Sequence, residues 1–288
     1  MIDDAAEPED RGEGESRYDQ MAGGYARWWA PVIRPGAERV LDLAAPAIEA
    51  ALSHSREPHL LDVGSGTGTL AIAALERWPA LRVTGIDPSG AMLAVARDNA
   101  AQRLGGRAAR YMTEIAFADR MQFDDSTFDL AVSSFVLQLV PSRAAALREI
   151  QRVLRPSGVF AWVTWQRTER AYAPDRIANE VLDEAGFDPP EADARPGDVA
   201  SPASAAQSMR RAGFRDVRAS TAEVAHPWDA ADYLAFLTEF DEESLFAELE
   251  PGERRDIEGQ ILDGLGRLSR DELTLRLPVI YAMGRVSG

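Results

Sequence analysis

The sequence predicts an α/β fold built on a parallel sheet, and three observations carry that prediction. An apolar run with an acid near its end, residues 60–63, enters a turn with glycine at every second position, Gly64-Ser65-Gly66-Thr67-Gly68. An Ala/Leu-rich helical pattern, residues 69–78, follows at once. A second apolar run, residues 81–86, then ends in another acid, Asp87. Strand, glycine turn, helix and strand make the βαβ unit of a Rossmann-like sheet, which sets a ligand against a helix N-terminus. Glycine is needed in such a turn because a Cβ would clash with the turn's backbone angles or with the ligand. A carboxylate ending the second strand can accept both hydroxyl hydrogens of a ribose.

Composition narrows the function. The chain has 288 residues, 45% of them hydrophobic, enough to bury a full core. Its net charge of −16 gives an average field that repels nucleic acid and anionic membranes. Cysteine is absent, which excludes disulfides, thiolate nucleophiles and Cys-ligated zinc. No apolar run reaches the length of a membrane span, and the acidic start is the reverse of a signal peptide. The expected compartment is the cytoplasm. Residues 1–16 read as a disordered acidic tail and 17–288 as one domain, with no internal repeat.

The remaining elements follow in order. Tyr18 and Tyr25-Ala26-Arg27-Trp28-Trp29 have the aromatic spacing of a core-packing helix, and residues 41–53 read as an amphipathic helix leading into the first strand. After Asp87, Pro88-Ser89 offers a helix start with Ser89 as N-cap. Met92, Val95, Ala96, Asn99 and Leu104 keep close to helical spacing until Gly105-Gly106 ends the helix. Residues 128–135 read as a strand buried on both faces. Pro141-Ser142 begins a helix with Ala144, Leu147, Ile150 and Leu154 inward, and residues 159–165 are the next strand. Residues 175–185 and 203–212 read as helices, and residues 213–217 turn into a sixth strand. A helical stretch containing Tyr233, Phe236 and Phe240 runs to about residue 269. Residues 275–285 are a final strand in which Pro278 calls for an edge or a bulge.

The glycine turn departs from a dinucleotide fingerprint, which would have glycine where Thr69 stands. Asp62-Val63-Gly64-Ser65-Gly66-Thr67-Gly68 instead resembles the first motif of class I S-adenosylmethionine-dependent methyltransferases. The likeness is to the small-molecule, ubiquinone-biosynthesis-like (type 11) kind. The frame of residues 116–129, ending in Phe128-Asp129, and the turn Arg152-Val153-Leu154-Arg155-Pro156-Ser157-Gly158 resemble later motifs of that family. The resemblance covers residues 61–165.

It implies a seven-stranded sheet of order 3-2-1-4-5-7-6 with helices on both faces and helical insertions. Residues 57–165 would be the cofactor core, and 17–56, 166–205 and 227–272 cap or substrate elements. It implies S-adenosylmethionine as cofactor, cradled by Asp62, Gly64, Ser65, Gly66 and Gly68. Asp87 would hold the ribose, with Pro88, Met92 and Ser133 bordering the site. The family's adenine-binding Asp falls on Phe117 here. The amino group is then met either by Asp119 through a shifted loop, or by backbone at Ala118 with Phe117 on the ring. A plain surface-turn role for Asp119 stands beside both. Tyr18 and Tyr25 either pack in the core or cap the cofactor cleft. The Asn/Asp-Pro-Pro-Tyr/Phe signature of DNA amino-methylating enzymes is replaced by Ser133-Ser134-Phe135-Val136, in agreement with the charge.

In methyl transfer from a sulfonium the cofactor supplies the difficult chemistry. The protein aligns the acceptor, excludes water and supplies a base where the acceptor is protonated. His54 and His59 flank the start of the first strand. His226, which ends the sixth strand beside the insertion, is the candidate base, against a structural turn role with Pro227. No spacing of oxygen ligands suggests a metal. The expected function is methylation of a small organic molecule, with Phe236 and Phe240 walling the acceptor site. The alternatives are a non-catalytic cofactor-binding regulator or subunit of the same fold, and a nicotinamide-dependent oxidoreductase.

Overall fold

The structure, a computed structural model, describes residues 23–54, 57–168, 171–187 and 197–288. The expectations for residues 1–16 and for Tyr18 lie outside these residues. Seven strands form one sheet: β1 (His59–Val63), β2 (Arg82–Asp87), β3 (Tyr111–Ile115), β4 (Phe128–Ser134), β5 (Leu154–Trp165), β6 (Arg215–Pro227) and β7 (Thr274–Arg285). Their order is β3-β2-β1-β4-β5-β7-β6, as the resemblance implies. Strands β1 to β5 pair in parallel, and β7 runs antiparallel to both β5 and β6. The C-terminal ends of every strand except β7 therefore share one edge of the sheet, where open α/β sheets bind ligands.

Nine α-helices complete the described chain: α1 (Ala30–His54), α2 (Thr69–Arg77), α3 (Gly90–Leu104), α4 (Arg143–Val153), α5 (Ala173–Glu184), α6 (Pro202–Arg211), α7 (Ala230–Phe236), α8 (Glu243–Glu248) and α9 (Pro251–Leu265). The alternation of side chains along each strand divides the core between the faces. Leu60, Val83, Tyr111, Leu130 and Val163 pack with α1, α2 and α3. Leu61, Ile86, Ala131, Phe160 and Trp162 pack with α4 and α6. Ser89 caps α3, its Oγ accepting from the Met92 N–H at 3.0 Å, and Ser142 caps α4 in the same way.

A third apolar core lies apart from the sheet. It joins Val32 of α1, Leu182 of α5, Trp228, Tyr233, Phe236 and Phe240 of the insertion, and Ile257 and Ile261 of α9. Two single π-helical segments, Tyr25–Trp29 and Leu237–Asp241, meet here. Arg27 bridges to Glu239 at 2.9 Å, and Gly24 lies where a Cβ would press on the Phe240 ring. Phe236 and Phe240 are thus buried in the core of this cap, which corrects the expectation that they wall the acceptor site. A run of helices too short to reach the sheet core has to bury its aromatic stripe internally.

The start of one helix and the place of Pro278 also differ from expectation. Helix α1 begins eleven residues before the amphipathic stretch read from the sequence and runs through Pro35 and Pro46. Both prolines face solvent, where the carbonyls they leave unpaired reach water. Pro278 lies inside β7, which has neighbours on both sides, so it marks no sheet edge. Its carbonyl accepts from the Gln166 N–H at 2.9 Å, just past the end of β5. A strand residue's nitrogen and carbonyl point to the same side, so the missing N–H falls where β5 has already ended.

Phe236→Ala should accordingly lower the folding free energy by about 3–5 kcal/mol through a cavity in the cap core. Urea denaturation followed by far-UV circular dichroism checks this, and an unchanged midpoint would show that the ring lies in a wall rather than a core.

Candidate cofactor and acceptor site

The turn after β1 bends through three left-handed residues, Gly64 at φ 70°, Gly66 at 52° and Gly68 at 84°. A Cβ on Gly64 would overlap the Val136 side chain, which arrives from the segment after β4. A Cβ on Gly66 would meet nothing within 4 Å, so that side of the turn is open to a ligand. Helix α2 starts directly behind, with Gly68 as its N-cap.

Two carboxylates hold the turn from different sides. Asp62, 1% exposed, accepts from Ser65 Oγ at 3.0 Å and from the Ala71 N–H at 3.1 Å through the same oxygen. Ser65 Oγ also lies 2.6 Å from the Tyr111 hydroxyl. Because the serine proton is given to Asp62, Tyr111 is the donor in that second bond. Burial raises the Asp62 carboxyl to about 7, against the hydrogen bonds from Ser65 and Ala71 that favour its charged form. The charge of Asp87 nearby raises it further. Asp87 is only half-buried. Its Oδ2 accepts from the Gly66 N–H at 2.9 Å, and its Oδ1 accepts from the Ser89 N–H at 3.0 Å.

The other anticipated residues divide. Gly64, Gly66, Gly68, Asp62, Ser65, Asp87, Pro88 and Ser89 come together at the ends of β1 and β2. Phe117, Ala118 and Asp119 form a tight turn past β3, closed by an Arg120 N–H to Phe117 carbonyl bond of 3.1 Å. That turn is tied to Asp87 through the Ala116 N–H, which donates to the Asp87 carbonyl at 3.2 Å. Met92 is buried in the core, with its backbone bound to Ser89. Ser133 is fully buried, and its Oγ donates to the Val63 carbonyl at 2.8 Å. Its side chain therefore ties β4 to β1 and does not face the cleft. Tyr25 sits edge-on to Phe240 with centroids 6.5 Å apart, as part of the cap core.

His226 lies at the end of β6, four strands from β1 and two from β5. Its ring packs on Trp228 at 4.4 Å, and burial lowers its pKa despite the opposing charge of Asp232. His59, pushed down to about 4 chiefly by burial, lies at the opposite end of β1.

Sequence reasoning missed the residues at the ends of β4 and β5. Phe135 follows β4 with φ 56°, a left-handed backbone that a bulky side chain adopts only under constraint. Its N–H donates to the Val163 carbonyl at 2.9 Å, and its ring stacks on Trp165 at 4.1 Å. Trp165 in turn meets Trp29 at 6.2 Å, and Trp29 stacks on Phe236 at 5.9 Å. Gln138 bonds to Thr164, whose side chain lies on the opposite face of β5 from Trp165. An amide inside the apolar run Val136-Leu137-Gln138-Leu139-Val140 was the one available signal.

Comparison with known proteins agrees with this geometry. Residues 60–158 match a family model described as a methyltransferase domain. The chain is 32% identical over 154 residues to the malonyl-[acyl-carrier protein] O-methyltransferase of Geobacter sulfurreducens, covering 53% of each. It is 35% identical over 147 residues to a ubiquinone/menaquinone biosynthesis C-methyltransferase of Methylobacterium nodulans, covering 49% of this chain and 50% of the other. The chain thus spans about half the length of these relatives. The solved YcgJ protein of Bacillus subtilis has the same fold, with a TM-score of 0.54 at 18% identity over 85% of this chain and 99% of that one. Residues 60–158 are thus similar to a methyltransferase domain on the fold that the solved relative shares. Over about half of the chain the likeness extends to a ubiquinone/menaquinone biosynthesis methyltransferase.

The residues fit S-adenosylmethionine, the cofactor that the resemblance implies. The open side of Gly66 leaves room for it, and the two acids suit a molecule with ammonium and sulfonium groups and no phosphates.

The Asp62 shift has a measurable consequence. A carboxyl whose folded pKa lies above its unfolded value makes the protein less stable as pH rises between the two, here from about 4 to about 7. Asp62→Asn should remove that component. The difference in melting temperature between wild type and variant, measured without ligand from pH 4.5 to 8, should move in favour of the variant as pH rises. A difference independent of pH would contradict the assignment.

Proposed function

We propose that the protein transfers the methyl group of S-adenosylmethionine to a small organic acceptor in the cytoplasm. The observation that carries this reading is the Asp87 carboxylate, bound to the Gly66 N–H beside the open face of the glycine turn. In this reading the turn backbone and Asp62 hold the methionine end, Asp87 takes the ribose hydroxyls, and the 117–119 turn borders the adenine. Residues 57–165 form the cofactor core, and 17–56, 166–205 and 227–272 supply the cap and acceptor elements.

The bound cofactor supplies an activated methyl group on sulfur. The chain's own part is positional. With the cofactor lying from β1 toward β2 and β3, the acceptor has the ends of β4 and β5, where Phe135 and Trp165 form an aromatic floor. The cap closes over this side through Trp29, which touches both Trp165 and the cap core, and excludes water from the transfer. A relative named for ubiquinone/menaquinone biosynthesis supports an apolar, flat acceptor.

Asp87→Ala should weaken S-adenosylmethionine binding at least about tenfold, since a hydrogen bond to a charged group contributes about 1.5–3 kcal/mol. Asp87→Asn should fall between, keeping an acceptor oxygen without the charge. The Gly66 and Ser89 bonds mean that both variants also loosen the turn, so a small drop in melting temperature is expected as well. Calorimetric titration at fixed salt measures the affinities, and mass spectrometry of acceptor mixtures detects the methylated product. Unchanged affinity in folded Asp87→Ala overturns the cofactor assignment, and binding without any product across the mixtures overturns the activity.

A further inference from the structure

Tyr111, the first residue of β3, reaches beneath the glycine turn. It shares with Asp62 and Gly85 the face of the sheet that α2 and α3 cover. Its buried hydroxyl lies 2.6 Å from Ser65 Oγ, which itself donates to Asp62 Oδ2 at 3.0 Å. The serine proton is committed to the carboxylate, so the tyrosine is the donor to the serine. Burial raises the Tyr111 pKa well above its ordinary value, so the phenol keeps that proton across the neutral range. Strand β2 is shaped around this contact. A Cβ on Gly85 would come within 2.5 Å of Ser65 Oγ and 2.7 Å of the Tyr111 hydroxyl. No left-handed backbone calls for glycine at that position. A glycine inside a strand weakens it, and here it makes room for the two hydroxyls to meet.

Asp62 is the acid set against the methionine end of the cofactor, and it attracts that end only when ionised. Burial and the charge of Asp87 on β2 favour its proton, whereas the bonds from Ser65 and from the Ala71 N–H of α2 oppose it. On the other side of β1 the facing residue of β4 is the neutral Val132. Arg97 of α3 acts on Tyr111, where burial outweighs it. A hydroxyl that accepts one hydrogen bond becomes a stronger donor of the next. We propose that Tyr111 is a positioning residue for cofactor binding: by donating to Ser65 it keeps the serine proton directed at Asp62 and holds that carboxylate ionised for the cofactor's cationic end. This rests on the methyltransferase reading above.

The test is calorimetric titration of the full chain with S-adenosylhomocysteine, which keeps the ammonium group, from pH 5.5 to 8.5. Wild-type affinity should rise with pH through about 7 as Asp62 ionises, and then level off. Tyr111→Phe keeps the ring and loses the donor. Its curve should lie about half a pH unit higher, with binding about threefold weaker at pH 6 and equal to wild type at pH 8.5. Ser65→Ala should move the curve further in the same direction. Adding Tyr111→Phe to Ser65→Ala should move it no more, because the tyrosine acts through the serine. Weakening by one constant factor at every pH in Tyr111→Phe marks a merely structural role and overturns the proposal. An unchanged Tyr111→Phe curve or a full second shift in the double variant does the same. Should Tyr111→Phe melt early, an unshifted Ser65→Ala curve still overturns it. Failure of S-adenosylhomocysteine to bind the wild type overturns this proposal and the methyltransferase reading together, whereas the other outcomes leave that reading standing.

Discussion

The site depends on a carboxylate at the end of one strand holding the loop that leaves its neighbour. Strands β1 and β2 pair in parallel with Val63 opposite Ile86, so Asp87 is placed one residue past the point where β1 gives way to the glycine turn. From there one oxygen takes the Gly66 N–H and the other the N–H of Ser89, the residue that caps α3. Hydrogen bonds to an ionised acceptor are stronger than neutral ones, so turn, strand and helix start are held as one unit. A turn already shaped in this way loses less freedom when a ligand arrives. Asp62 braces the same turn from inside the sheet through Ser65, and its burial raises its carboxyl to about 7.

Aromatic packing ties the rest of the chain to that site. Phe135, Trp165, Trp29 and Phe236 follow one another from the end of β4 into the cap, each ring within 6.2 Å of the next. Trp228 continues the path from Phe236 at 5.1 Å and carries His226 on its other side. The cap has its own core, yet it is anchored to the strand ends through Trp29. Helix α1 serves both bodies. Its first turns pack in the cap, its middle lies on the sheet, and Gly36 lets it approach Val224 and Phe135 closely.

Much of the cofactor side was legible because it is written in local chemistry. Left-handed glycines, an N-capping serine and an acid after an apolar run each announce themselves within a few residues. The ends of β4 and β5 were not legible. Phe135 has no turn-forming side chain to advertise its left-handed backbone, which is imposed by the Val163 carbonyl and the Trp165 ring thirty residues away. Ser133 was hard to read for the same reason. A strand position tells which residue ends a strand, but not whether its side chain is taken by the neighbouring strand or lies at the far side of the sheet.

The sequence by itself determined the α/β class, the strand order through its family motifs, the glycine turn and the two acids that serve it. These rest on interactions spanning a handful of residues, or on an alternation of apolar and polar positions that the chain displays directly. Tertiary structure alone decided that Phe236 and Phe240 form a cap core, that Pro278 is harmless beside the end of β5, and that Gln138 meets Thr164. Each of those outcomes depends on which distant segment comes to lie against the residue. That depends on how helices and strands share a finite buried surface, a property of the packed whole that no short stretch of chain contains.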